Sequence, residues 1–173
     1  MTTQQLIDKA NEIRACALTM IFHAQTGHTG GAMSVSDILT VLFYDVMNFG
    51  PENASSPDRD RFFLSKGHSC EPYYAILGDR GFFPRELLAT FSQAGSPIIG
   101  HPNNSVNGVE VCTGALGHGL PVAVGAAIGA KRTGKAYNTF VVMGDGEQAE
   151  GSVWEAAMAA ANYKLDNLWA VVD

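Results

Sequence analysis

Leu6, Ala10, Ile13, Ala17, Ile21 and Ala24 recur at helical spacing, so residues 3 to 25 are predicted to form an amphipathic helix. The pattern stops at Thr26-Gly27-His28-Thr29-Gly30-Gly31. A second helix is expected beyond it, capped by Ser34 or Ser36, with Val35, Ile38, Leu39, Leu42, Phe43 and Val46 on its buried side. Residues 51 to 60 read as a polar loop, and Phe62-Phe63-Leu64 as a short buried strand. Gly67-His68 opens a helix running through Leu77. Pro84 suits the first position of a short helix ending near Phe91, and residues 95 to 112 are rich in loop formers.

The second half has the stronger signal. Ala115 to Lys131 is almost entirely Ala, Gly and Val around Pro121, a helix able to pack backbone-close against a neighbour. Thr139-Phe140-Val141-Val142-Met143 is a continuous apolar run, hence a strand buried on both faces. Glu150 to Tyr163 is helical in character, and Leu168 to Val172 is a second apolar run. Strand, helix, strand is a βαβ unit with parallel strands. The class is α/β, and residues 1 to 173 form one domain.

Composition narrows the functions more than the fold. The chain has 173 residues, 46% apolar and 16% charged, which is globular. A net charge of -6 gives no footprint for nucleic acid or an anionic membrane surface. The segment Met1 to Asn11 is polar and carries no secretory h-region. Leu120 to Ala130 is too short to span a bilayer. Cys16, Cys70 and Cys112 lack zinc-type spacing, so a reduced, cytoplasmic setting is expected. The 19 glycines cluster at segment ends, where backbone can approach a ligand closely.

Gly144-Asp145-Gly146 follows the first strand of the βαβ unit, at the edge where open α/β sheets bind ligands. A carboxylate between two glycines suits a hard cation beside a phosphate. A plain tight turn is the structural alternative, and three residues alone do not separate the two. A third reading is the dinucleotide fingerprint Gly144-x-Gly146-x-x-Ala149, with Asp173 as ribose acid. That reading sets Asp145 and Glu147 beside a pyrophosphate, whereas a metal turns such repulsion into a bridge.

Four of the five histidines follow glycine: His28, His68, His101 and His118. Four such pairs in loop-like contexts are expected to gather at a polar, anionic pocket, since imidazole can donate to phosphate or sugar oxygens and move protons. Turn capping is the plainer alternative for the group, and zinc-type spacing is absent. His23 reads as an ordinary helix residue.

Taken in order, these segments resemble the transketolase family from Ala24 to Asp173. Gln25 to Gly31 is similar to its Ser-Gly-His-Pro-Gly segment. Asp58 to His68 matches its Asp-Arg-Asp-Arg-Phe block, Gly100-His101-Pro102 and Gly108 to Gly117 match two more, and Gly144-Asp145-Gly146 with Glu150-Gly151 matches the thiamine-diphosphate motif. The resemblance implies a three-layer α/β fold, a mostly parallel sheet with helices on both faces. It implies thiamine diphosphate and Mg2+ as cofactors and two-carbon ketol transfer from a ketose phosphate to an aldose phosphate, in the pentose phosphate part of carbohydrate metabolism. Asp145 would bind the metal. His68 and the Gly146 backbone would contact the diphosphate, Gly114 and Leu116 would line the cofactor wall, and His28 and His101 would face the sugar. Glu150 would lie at a subunit contact. The implied partners are sugar phosphates and a pyrimidine-binding domain or subunit, in a homodimer or hetero-oligomer.

Thr29 stands where the family usually has Pro, and His118 where many members have Gln; with residues 65 to 72, these departures lean toward shorter, split or bacterial-type members. Glu71 has no role assignable from sequence. The family motif continues to an Asn metal ligand about thirty residues beyond Asp145. The 173-residue chain by itself is therefore expected to be inactive and to bind thiamine diphosphate weakly or not at all. Three other readings stay open: a deoxyxylulose-phosphate-synthase-like enzyme, an NAD(P)-dependent dehydrogenase, and a non-catalytic subunit of the same fold.

Overall fold

The computed structural model describes residues 1–173. Helix α1 spans Thr3–Ala24 and is closed at its start by a reciprocal cap: Thr2 accepts the Gln5 amide while the Gln5 side chain accepts the Thr2 amide. Its apolar stripe buries Ala10, Ile13, Ala17 and Met20. Helix α2 spans Thr29–Val41, and a π-turn, Leu42–Val46, extends it.

The start of α2 corrects the sequence expectation. Ser34 and Ser36 lie inside the helix; the capping position is His28, whose carbonyl accepts the Ala32 amide at 3.0 Å. Ala32 is fully buried, so the packed stripe begins a turn earlier than its large residues announce. The Ser36 hydroxyl bonds back to the Ala32 carbonyl, a local satisfaction that lets a serine sit in a helix interior.

Strand β1 is Arg61–Leu64, helix α3 is Cys70–Asp79 after a 3-10 turn at Gly67–Ser69, and a 3-10 turn at Arg85–Thr90 follows Pro84. Helix α4 is Gly119–Thr133, not from Ala115, because Gly117 turns the chain at φ +81° just before it. Pro121 falls in its first turn, where the missing amide costs no helical bond. Strand β2, helix α5 and strand β3 are Thr139–Met143, Gly151–Asn162 and Leu168–Val172.

The three strands are parallel in the order β1-β2-β3, with Phe62 opposite Phe140 and Val141 opposite Ala170. Side chains alternate across the sheet and found two cores. Phe62, Leu64, Phe140 and Val142 pack with residues of α1, α2 and α3, among them Ile13, Leu39 and Tyr73. Phe63, Val141 and Met143 pack with Leu120, Ala123 and Ala127 of α4 and with Val153 and Ala156 of α5. Helices thus cover both faces, and β2 is buried along its whole length. Strand β3, equally apolar, is the sheet's edge: Trp169 is 56% exposed and Val172 50%. No helix is long and apolar enough to cross a membrane.

Candidate active site

The C-terminal ends of all three strands open on one hollow of about 460 Å3. Strand β1 delivers Lys66 and His68, β2 delivers Gly144, Asp145, Gly146 and Glu147, and β3 delivers Asp173. The head of α2 closes one side with Gly31 and Ser34, and Leu116 closes another. A larger hollow, about 580 Å3, runs between α1 and the 85–90 turn, but it holds none of the strand-end residues.

The two acids of the β2 loop face opposite ways. Glu147 is 2% exposed and points inward. Its Oε1 accepts the Gly117 amide at 2.8 Å and the Ser65 hydroxyl, and its Oε2 accepts the Gly144 amide at 3.0 Å. The Ser65 oxygen in turn accepts the Gly119 amide at 3.1 Å. One carboxylate therefore ties the ends of β1 and β2 to the loop that precedes α4. Asp145 is exposed to the hollow, and its carboxylate accepts only its neighbour's amide, Gly146 N–H, at 2.7 Å, and makes no ion pair. Lys66 is almost fully buried and pairs with the Asp173 carboxylate, which also accepts the Ser34 hydroxyl at 2.7 Å.

Glycines keep the hollow open. A Cβ at Gly31 would lie 2.4 Å from Ser69 Oγ and 3.5 Å from Lys66 Nζ, whereas one at Gly146 would meet nothing within 4 Å. The amides of Thr29, Gly30 and Gly31 have no intrahelical partner, as the first turn of any helix leaves them. The Gly31 amide and the His68 imidazole line the hollow beside Lys66, which is paired with Asp173, and such donors fit a diphosphate. No group of three or more His, Cys, Asp or Glu residues forms a metal cage. A single free carboxylate beside a phosphate site fits Mg2+, which takes one or two carboxylates and completes its shell with phosphate oxygens and water.

Three of the four Gly-His histidines meet on the rim. The His28 ring lies 5.7 Å from the His68 ring and 5.7 Å from the His101 ring, centroid to centroid. Tyr74 donates to the His101 carbonyl at 2.8 Å, and a Cβ at Gly114, whose φ is +138°, would come within 3.0 Å of the His101 ring. His118 caps α4 apart from this trio, its Nδ1 paired with the Leu116 carbonyl at 3.1 Å. His23 is exposed on α1.

Burial holds His68 below the ordinary imidazole value, helped by the nearby charges of Lys66, His28 and His101 and opposed by Glu147. Burial and His28 do the same to His101, opposed by Glu71. The folded rings bind protons less readily than the unfolded ones, so stability is complete above about pH 6.5 and declines as pH falls through that value. The stability that the depressed carboxylates Asp79 and Asp166 contribute is complete above about pH 3.8 and is lost only below it. Thermal melts should show Tm dropping on acidification below about pH 6.5, and replacing both His68 and His101 by Asn should flatten that slope; an unchanged slope contradicts it.

Several contributors escape the sequence reading. Glu147 figures there only as a carboxylate unwelcome beside a pyrophosphate, and Lys66 only as part of a block. Glu71 turns out to be fully buried and to accept the His28 amide at 2.9 Å. Its one available signal is being the lone charge amid Cys70-Glu71-Pro72-Tyr73-Tyr74.

Across residues 5–173 the chain matches the family model described as transketolase, thiamine diphosphate binding domain. The chain belongs to the transketolase family. It is 46% identical to one subunit of the apulose-4-phosphate transketolase of Phocaeicola vulgatus, covering 100% of this chain and 62% of that protein. Human transketolase is 39% identical over 98% of this chain, which spans 27% of the human protein. Transketolase from Campylobacter jejuni superposes with a TM-score of 0.92 at 35% identity, over 100% of this chain and 28% of that one. The chain thus spans 62 to 63% of the apulose-4-phosphate transketolase subunits it matches. Membership in this family sets aside the dinucleotide reading. The geometry agrees, since a 3-10 turn, Gly146–Ala149, separates the glycines from α5, where the fingerprint needs the helix to open within the motif.

Proposed function

We propose that this chain supplies the diphosphate and metal side of a transketolase-type active site, which moves a two-carbon ketol unit from a ketose phosphate to an aldose phosphate. The observation that carries the reading is the convergence of Asp145, Lys66 and His68 on one hollow, with His28 and His101 on its rim. Thiamine diphosphate, when bound, supplies the nucleophilic carbon and the electron sink for such a transfer.

Asp145 would hold Mg2+, and the Gly146 backbone, His68 and Lys66 would hold the diphosphate. Lys66 is already committed to Asp173, so its charge is oriented before any ligand arrives. Gly114 and Leu116 would wall the cofactor, with Gly114 leaving room for the His101 ring. His101, held neutral by its surroundings, can take or give a hydrogen bond at a sugar hydroxyl or carbonyl, and His28 works beside it. The pyrimidine side of the cofactor falls to another domain or subunit. Two relatives, at 46% and 44% identity, are named as single subunits of their transketolases, which supports an enzyme assembled from different chains. Glu150, exposed at the head of α5, is the residue assigned to the subunit contact. A cytoplasmic location goes with this reading.

The test is a donor panel with the complete enzyme that contains this chain, thiamine diphosphate and Mg2+ present. Apulose 4-phosphate, named for those relatives, and xylulose 5-phosphate, named for a Pichia stipitis transketolase complex, are the first donors. Transfer of a two-carbon unit to an aldose phosphate acceptor is the expected outcome. Absence of transfer from every ketose phosphate donor would contradict the reading.

A further inference from the structure

One buried charge has no part in the function just described. Glu71 stands in the first turn of α3 and is 0% exposed. Its Oε1 accepts the backbone amide of His28 at 2.9 Å, 43 residues away in sequence. Its Oε2 is buried without a partner. Gly27 passes against the same carboxylate with φ +151°, and a Cβ there would lie 2.7 Å from Oε1 and 2.6 Å from the Ile21 side chain. The chain therefore omits a side chain at residue 27 to bring the next amide onto Glu71.

What Glu71 holds is the residue at the centre of the histidine trio, since the His28 ring is the one that meets both His68 and His101. The charged or titratable groups bearing on His101 are His28, from the head of α2, and Glu71, from α3, and they act in opposite directions. A carboxylate serving only as a staple has both oxygens satisfied in most folds, and this one does not.

We propose that Glu71 is a positioning residue of the sugar-facing site: it pins the Gly27–His28 peptide and sets a fixed negative charge by the His28–His101 pair. It touches no substrate. Pinning the amide fixes where the His28 ring enters the site, and the charge stabilises an imidazole that has taken a proton from a sugar hydroxyl. The kinetic arm of the proposal rests on the ketol-transfer reading; the titration arm does not.

The experiment replaces Glu71 by Gln and by Asp in the complete enzyme that contains this chain. It follows the His101 ring by NMR titration without substrate or cofactor, beside steady-state kinetics. E71Q keeps an acceptor oxygen and loses the charge. The His101 midpoint should move down by about half a pH unit or more. The acid limb of kcat/KM should move with it, and kcat should fall roughly 10- to 100-fold with KM within about twofold. E71D keeps the charge and withdraws the acceptor from the His28 amide, so the midpoint should hold while kcat falls by a similar factor. An unmoved His101 midpoint, or wild-type kcat, in folded E71Q overturns the proposal. Should E71Q fail to fold, wild-type kcat in E71D overturns it instead. An enzyme without ketol-transfer activity refutes the function, and the His101 midpoint alone then decides Glu71.

Discussion

Asp145→Ala should lower kcat/KM by roughly 10^2- to 10^4-fold, the equivalent of about 3–5 kcal/mol of metal and diphosphate stabilisation. The fold should hardly notice. Asp145 is exposed, and its only side-chain bond is to the adjacent Gly146 amide, so the melt should shift by no more than about 1 kcal/mol equivalent. Asp145→Asn keeps an oxygen at the site without its charge and should fall between the two. Raising Mg2+ should recover part of the Asn variant's activity and little of the Ala variant's. Activity of D145A within tenfold of wild type would remove the metal role from this residue.

Glu147→Ala should do the reverse and strike the fold first. The substitution leaves the Gly117 and Gly144 amides and the Ser65 hydroxyl without their acceptor, in a place where the carboxylate was 2% exposed. At about 1–3 kcal/mol for each buried donor left unpaired, the loss is at least about 3 kcal/mol, or roughly 6–12 °C in Tm for a domain of this size. Glu147→Gln retains one acceptor oxygen and sets an amide group against the other donor, so about half that loss is expected. Melts of the two variants check both values. A wild-type Tm in E147A would show that the three donors find other partners and that this carboxylate is not the tie between the strand ends.

The contrast between these neighbouring acids marks where the sequence can be read and where it cannot. Periodicity locates α1, β2, α5 and β3 to within a residue or two, because each carries its own apolar repeat. The head of α2 is displaced from its expected place because what holds it, the Glu71 carboxylate, comes from another element. The same limit applies to the histidines. Their shared Gly-His pairing announces a group, but only the return of α3 and the 100–102 loop to the head of α2 decides that His28, His68 and His101 meet and His118 does not. Asp145 and Glu147 are two residues apart and equally charged; spacing cannot say which turns inward. Strand β3 shows what an apolar run leaves open: the strand forms as expected, and its place at a sheet edge leaves Trp169 and Val172 half exposed.

The central claim is that the strand-end hollow is a metal-dependent diphosphate site anchored by Asp145. Calorimetry on the complete enzyme that contains this chain tests it most directly, titrating thiamine diphosphate and then NAD, each with and without Mg2+. The account predicts thiamine diphosphate binding at least about tenfold tighter with Mg2+, loss of that metal dependence in D145A, and no comparable binding of NAD. Tighter binding of NAD than of thiamine diphosphate in the absence of metal, or thiamine diphosphate binding indifferent to both Mg2+ and Asp145, would contradict it.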